Sequence, residues 1–455
     1  MERLVDQKSN KLIYPIQNLI RKFVHLIIII AIPLFSSKKY KEKLISIENN
    51  ITLQNILGLT IFNALGGLLL MFTNVKIANV LGASLYGLYS YYLAIGEVGS
   101  NFVRYGRHKT MTRDLIQNNN KFENLISNTF ILSIINLIIF CIVIGFLSDP
   151  LDVPLNVAPW LLIVGASIGC IDFQPVYESL RMMSWHAIYY LIQKTIFFLG
   201  IWIAILFFSK FSLTYLSIIF FSSWILIVII QYWEIIVQFG IQIKDYVSWR
   251  SIKKLYKSNF LIALSCMTGV AFGPIIQLVL KNHVDSEAVG IYAAGMQIFI
   301  MCQFLLNQIA RVGNPMMAEA GKNTCSIKER KHFVIRYTTI MILTSLPFLI
   351  PLTIFPHSIT KLLYASEYSR LGNLLPIYGI YLICFGIGVV FTQFLISLRQ
   401  DKTYFTIYVI SAIATIVCAV TLIPSLGLLG AVISLCIPHS LGRLLYVLFS
   451  LKYLK

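Results

Sequence analysis

The chain has 455 residues, a mean hydropathy of +0.77, 57% hydrophobic and only 12% charged residues, too little charge to cover a soluble domain of this size. Its net charge of +18 reads as loop Lys and Arg gathered on one membrane face rather than as a nucleic-acid surface, so no nucleic-acid partner is expected. Apolar runs of roughly 20 residues recur and are continuous rather than alternating, which makes the fold class all-α: a polytopic helical membrane protein, not a barrel.

Residues 1–50 read as a basic extension around one apolar run, Phe23–Phe35, which is short and contains Pro33. Basic SSKKYKEK follows it in place of a cleavage site, so an interfacial cytoplasmic helix fits better than a span or a signal peptide. From Ile51 onward about twelve spans are predicted. They lie near 53–80, 86–106, 124–147, 157–177, 186–208, 213–236, 259–280, 288–312, 334–356, 372–397, 403–424 and 427–450. The first pair forms the hairpin Lys76–Arg107, which turns around Gly82 and Gly87 and carries Glu97 and Arg104 within apolar sequence. An ionisable residue at such depth is a functional-site candidate.

Loop charge alternates. One set of loops holds Arg107, Lys109, Arg113, Lys121, Arg181, Lys253, Lys254, Lys328, Arg330, Lys331 and Lys402; the opposite set holds only Lys210, Lys281, Lys361 and Arg370. The positive-inside rule then places both termini in the cytoplasm with an even number of spans. All loops are short and no extramembrane domain is expected. The eight cysteines show no CxxC or Cys/His ligand spacing, so no metal site is expected. No GxxxxGK[ST] or HExxH stretch is present, and the single GxSxG match, at 165–169, lies inside an apolar run with no soluble domain around it, so no catalytic residues, no cofactor and no enzyme activity are expected.

Two matches point to an internal repeat. The Gly-x-Tyr of LYGLYSYYLA, at Gly87, aligns with that of AVGIYAAGMQ, at Gly290; Ser-Leu-Arg at 179–181 aligns with Ser-Leu-Arg at 397–399. Both pair equivalent spans of two halves, predicted as a bundle of six helices at 51–240 and another at 241–455. Substrate sites in such parallel repeats lie between the halves.

IANVLGASLYGLYSYYLA resembles the first-loop signature of polysaccharide flippases of the Wzx type, in the multidrug/oligosaccharidyl-lipid/polysaccharide exporter superfamily. EAVGIYAAGMQIFIMCQFLLNQIARVGNPMMAEAG resembles their eighth span, and LISLRQDKTYFTIYVISAIATIVCAVTLIPSLGLLGAVIS their tenth-to-twelfth-span region. The resemblance implies two bundles in a V and alternating access in a bacterial plasma (inner) membrane. It implies transfer of an undecaprenyl-diphosphate-linked oligosaccharide to the outer leaflet for O-antigen or capsule synthesis. Membrane lipids, a coupling H+ or Na+ and a polysaccharide polymerase are the further partners it implies. Arg104 falls where the family commonly has arginine. Lys76 is the base nearest Asn79, where the family often has arginine, and Gln277 is the polar residue in a segment where the family often has an acid.

A diphosphate crossing a bilayer needs cationic, hydrogen-bonding partners, and arginine supplies a planar bidentate fork. Arg104 and Arg311, at equivalent ends of the second and eighth spans, are the leading candidates, with Lys76 and Gln277 beside them; snorkelling to the interface is the plainer reading of each arginine. Glu97 lies two turns before Arg104, within roughly 20° of the same face. With Asp172 and His439 it is an ion-coupling candidate; interhelical polar contacts are the plainer role. Asp172 and Lys194 are placed for an ion pair between neighbouring helices, and Tyr89, Tyr91 and Tyr92 for stacking on sugar rings. The alternatives within the superfamily are a cation-coupled small-molecule exporter and a flippase for the peptidoglycan lipid precursor. Outside it stands a membrane polymerase or acyltransferase.

Overall fold

In lipid the backbone must satisfy its own donors and acceptors, and these sequences do so as helices. The computed structural model describes residues 51–117, 122–180, 182–208, 210–239, 247–320, 326–398 and 400–454; the interfacial run at 23–35 lies outside them. In chain order the helices are α1 (Ile51–Arg104), α2 (Arg107–Gln117), α3 (Phe122–Phe146), α4 (Val157–Ile168), α5 (Gln174–Ser179), α6 (Met183–Phe207) and α7 (Leu213–Phe239). They continue as α8 (Trp249–Met267), α9 (Pro274–His283), α10 (Ser286–Ala320), α11 (Ile327–Ile354), α12 (Pro356–Leu363), α13 (Leu375–Ser397) and α14 (Asp401–Leu451).

Eight helices are long and apolar enough to cross a membrane among the described residues. Two of them are hairpins. Asn63 and Arg104 line one cavity, yet on one straight helix they would lie about 60 Å apart. The chain reverses at Gly82, whose φ of 76° and ψ of 170° leave the helix. In α14 the Tyr404 and Tyr446 rings are 5.8 Å apart, and the reversal falls at Gly427, φ 56°. Both positive φ values are cheap only for glycine.

Two further crossings are broken helices. One runs through α4 and α5, interrupted at 169–173 between Gly169 and Pro175; proline both removes a donor and disfavours helix before it. The other runs through α8 and α9, joined by a 3-10 turn at Thr268–Phe272 and a break at Gly273-Pro274. Among the described residues, counting both hairpins and both broken helices, this makes twelve crossings in the all-α membrane fold expected.

One end of the molecule carries the exposed Arg250, Lys253, Lys254, Lys328 and Lys402 and is called the basic end here. The other, the hairpin end, holds Gly82 and Gly427. There the bundles are tied together. Asn79 donates to the Leu363 carbonyl at 2.9 Å and accepts from the Ala365 N–H at 2.9 Å. Glu367 accepts from the Ala83 N–H at 2.8 Å, and buried Tyr368 donates to the Ala78 carbonyl at 3.1 Å. Lys281 pairs with Asp152 at 2.8 Å. The segment between the ninth and tenth spans, expected as a plain short loop, is thus α12 plus a 3-10 turn at Ser366–Asn373 that docks on the first hairpin.

Candidate functional site

On the basic side of this seal lies a cavity of about 920 Å³ between the bundles. Its roof is the hydrogen bond from Asn74 to Gln297, 3.0 Å, which joins the first and eighth spans. The two walls differ in chemistry. The C-terminal bundle contributes Ile300, Met301, Phe304, Leu305 and Phe348, with Gln297 its one polar lining residue among the described residues. The N-terminal bundle contributes, beside apolar residues such as Leu68, Met71 and Ile227, the polar Asn63, Arg104, Asp172, Gln174, Glu178, His186 and Gln231, together with Tyr189, Tyr190 and Trp224.

The polar wall is assembled by the break in the fourth crossing. Residues 169–173 leave the helix, so Asp172 reaches the cavity, and Arg104 on the second span meets it at 3.5 Å. The carbonyl that the break would leave unsatisfied is taken by Arg107, a buried residue that donates to Cys170 at 3.0 Å and contacts the Thr129 carbonyl at 3.5 Å. Glu178 accepts from Gln174 at 2.7 Å and from Thr112 at 2.9 Å, which fixes it to α2. Behind Tyr189 the buried Glu234 accepts from the hydroxyls of Tyr177, 2.5 Å, and Tyr189, 2.7 Å. The side-chain oxygen of Gln231 and Nδ1 of His186 are buried with no hydrogen-bond partner among the described residues. A ligand rich in hydroxyls would satisfy both. Tyr190 and Trp224 offer flat apolar faces on the same wall, and Lys194 lies behind them, 5.0 and 4.9 Å from their ring centroids.

Of the sequence candidates, this cavity brings together Arg104 and Asp172. It does not bring the others. Lys76 faces away, 5.0 Å over the ring of half-exposed Trp202. Gln277 sits in α9 with its side-chain oxygen buried and without a hydrogen-bond partner among the described residues, outside the cavity lining. Glu97 is exposed and makes no ion pair among the described residues; Arg104 has taken Asp172 instead. His439 lies inside the C-terminal bundle, bonded through Nδ1 to the Tyr381 hydroxyl and packed on Phe272 with ring centroids 3.9 Å apart. Arg311 lies on α10, but its side chain is outside the described residues.

Two expectations are corrected. Asp172 does not pair with Lys194: the break turns Asp172 toward the second span, while Lys194 packs on aromatic faces. Tyr89, Tyr91 and Tyr92 are buried in the N-terminal bundle rather than presented to the cavity; Tyr91 donates to the Leu151 carbonyl at 2.5 Å. The residues that sequence reasoning missed are Arg107, Glu234, Trp224, Tyr190 and Gln231. An acid inside the apolar run QYWEII was the one available signal for Glu234.

A search of curated proteins finds no match. Among solved structures, the fold is similar to the lipid II flippase MurJ in an inward closed conformation, with TM-score 0.68 and 14% identity, covering 87% of each chain. It is also similar to a multidrug resistance MATE family transporter of the MOP superfamily. The inward-facing form gives TM-score 0.62 and 13% identity over 87% of this chain and 94% of that one. The outward-facing form gives 0.55 and 13% over 88% and 95%. The family model described as "Polysaccharide biosynthesis protein" matches residues 52–320, more than half of the chain, and the chain therefore belongs to that family, on a fold similar to those solved structures.

Proposed function

We propose that this protein is a flippase for a lipid-linked oligosaccharide. It accepts an undecaprenyl-diphosphate-linked repeat unit from the cytoplasmic leaflet and releases it to the outer leaflet by alternating access, for O-antigen or capsule synthesis. The observation that carries this reading is the two-walled cavity, closed at the hairpin end, with a polar and aromatic wall facing an apolar one. Sugar hydroxyls suit the amides, carboxylates and orphaned acceptors of the N-terminal wall, and sugar faces suit Tyr190 and Trp224. A lipid tail suits Ile300, Met301, Phe304 and Leu305.

The diphosphate falls to Arg104. Its present partner Asp172 is a single carboxylate at 3.5 Å, and a diphosphate offers more oxygens and more charge to the same guanidinium. Arg311, the repeat-equivalent arginine, is proposed as the second contact. Asp172, released when cargo arrives, is the proposed site for a coupling H+ or Na+. The basic end is taken as cytoplasmic by the positive-inside rule, which sets the cavity of this conformation facing the cytoplasm in a bacterial plasma membrane.

The test is deletion of the gene in a strain with no redundant transporter, followed by assay of which leaflet holds the lipid-linked sugar. Accumulation on the cytoplasmic side, reversed by the wild-type gene and not by Arg104→Gln, is the expected result. Unchanged surface polysaccharide overturns the reading, and restored growth of a strain depleted of its peptidoglycan-precursor flippase transfers the cargo to that lipid.

A further inference from the structure

The C-terminal bundle contains a charged pocket that the proposed transport path does not use. Arg443, in the twelfth crossing, sits eight residues before the end of α14, about 12 Å along the helix from that end. It does not run out to the interface. Its aliphatic stem crosses α13 at Gly388, where any β-carbon would collide with it. Its guanidinium lies 5.3 Å from the Phe385 ring centroid and 6.0 Å from that of Tyr446. Gly388 is thus the space through which an arginine is led into the bundle.

Once inside, the guanidinium is underused. It donates to Thr392 Oγ1 at 3.2 Å, and no carboxylate pairs with it among the described residues. Arginine carries five donors and stays charged. A cation at membrane depth without a counter-charge is costly, and aromatic faces offset only part of that cost. Beside it is a pocket of about 190 Å³ lined by Thr392, Tyr408, Ser411, His439 and Arg443. Gly442 packs directly on Ser411 at its edge, with no room for a β-carbon. Tyr404 and Tyr408 also line a second pocket of about 260 Å³, which reaches Asn101 and His108 at the seam between the bundles. Tyr404 and Tyr408 are thus shared by the two pockets. Neither pocket shares a residue with the central cavity.

We infer that the Arg443 pocket binds one small anion, chloride or a tetrahedral oxyanion such as phosphate, as the counter-charge to Arg443 and apart from the cargo site. The same chemistry is carried by a free ion and by the phosphate of a lipid headgroup.

The experiment uses the purified full chain in phosphatidylcholine nanodiscs. Sodium chloride or sodium phosphate is exchanged against sodium gluconate at constant ionic strength, and the thermal unfolding midpoint is followed. A saturable rise of roughly 2–5 °C with chloride or phosphate is expected, absent in Arg443→Gln and weakened in Thr392→Val and Tyr408→Phe. Should Arg443→Gln fail to fold, chloride NMR line broadening on the wild-type protein, reversed by phosphate and reduced in Tyr408→Phe, carries the test. A rise in gluconate on adding phosphatidylglycerol alone assigns the anion to a headgroup and supports the site. A midpoint insensitive to anion and to phosphatidylglycerol, or the same saturable rise in a folded Arg443→Gln, overturns it.

Discussion

Gly87 and Gly290, which the sequence repeat aligns with each other, pack against each other across the seam between the bundles. A methyl on Gly290 would lie 3.1 Å from the Gly87 nitrogen and collide with the Ala83 carbonyl oxygen, and one on Gly87 would collide with the Ser286 carbonyl oxygen. Both obstacles are backbone, so only separation of the second and eighth spans would make room. Gly87→Ala and Gly290→Ala are therefore expected to disfavour the state sealed at the hairpin end by about 1–3 kcal/mol, roughly a 5- to 150-fold shift in population. Spin-label distances between the second and eighth spans near the hairpin end check this. Unchanged distance distributions in both variants would count against the seal as described.

Asn79 and Glu367 hold the same end by different means. Asn79 spends both ends of its amide on the backbone of 363–365, and Glu367 takes the Ala83 N–H just past the turn at Gly82. These bonds exist only while the segment between the ninth and tenth spans rests on the first hairpin. Asn79→Ala is expected to weaken the sealed state by about 1–2 kcal/mol, two hydrogen bonds at the usual net value. Labelling of a cysteine placed near Ala365 should become several-fold faster in that variant, with unfolding unchanged.

The sequence made the crossings and the first hairpin legible, because lipid imposes length on helices and glycine marks turns; it aligned Gly87 with Gly290 as repeat equivalents but placed Gly87 in the turn, which falls at Gly82 alone, and did not bring the two glycines into contact. It also singled out Arg104 and Asp172, as charges within apolar runs. It misassigned Asp172 to Lys194 because span-level reading treats the fourth crossing as one straight helix. Gly169 and Pro175 on either side of Asp172 were the signs of a break. Aromatic and amide lining residues such as Trp224 and Gln231 were not legible, since nothing in a helix's own composition says which of its faces meets a cavity and which meets another helix. Lys76 failed for the same reason: its position near the turn was read correctly, but the face it occupies points to Trp202.

Arg104 and Asp172 can be separated experimentally. If Asp172 only holds Arg104 until cargo arrives, Arg104→Gln removes the diphosphate contact, and a loss of roughly 10- to 100-fold in flipping rate is expected. Asp172→Asn leaves the cation in place and frees it. Flipping then falls less than in Arg104→Gln, and affinity for a soluble pyrophosphate competitor rises. The charge-swapped double variant, Arg104→Asp with Asp172→Arg, should remain inactive if the position of the cation matters. Recovery of activity in the swap would instead make the pair a structural one. Flipping rates in reconstituted vesicles with a labelled lipid-linked sugar supply the measurement.

Gly169 and Trp224 give a test of the aromatic wall that leaves every charge untouched. A β-carbon at Gly169 would lie 2.8 Å from the Trp224 ring, so Gly169→Ala must push the indole toward the cavity or off Lys194. Trp224→Ala deletes the platform outright and enlarges the cavity. If the indole face holds a sugar ring, both variants should raise the concentration of cargo needed for half-maximal flipping by about 5- to 30-fold, the scale of losing 1–2 kcal/mol of contact. Trp224→Phe should recover most of the loss, because a flat apolar face remains. Binding of a water-soluble diphosphate lacking sugar should be unchanged in all three, which separates a stacking role from general damage to the bundle. Equal weakening of both ligands would mean that Trp224 supports the helix packing around Gly169 rather than the cargo.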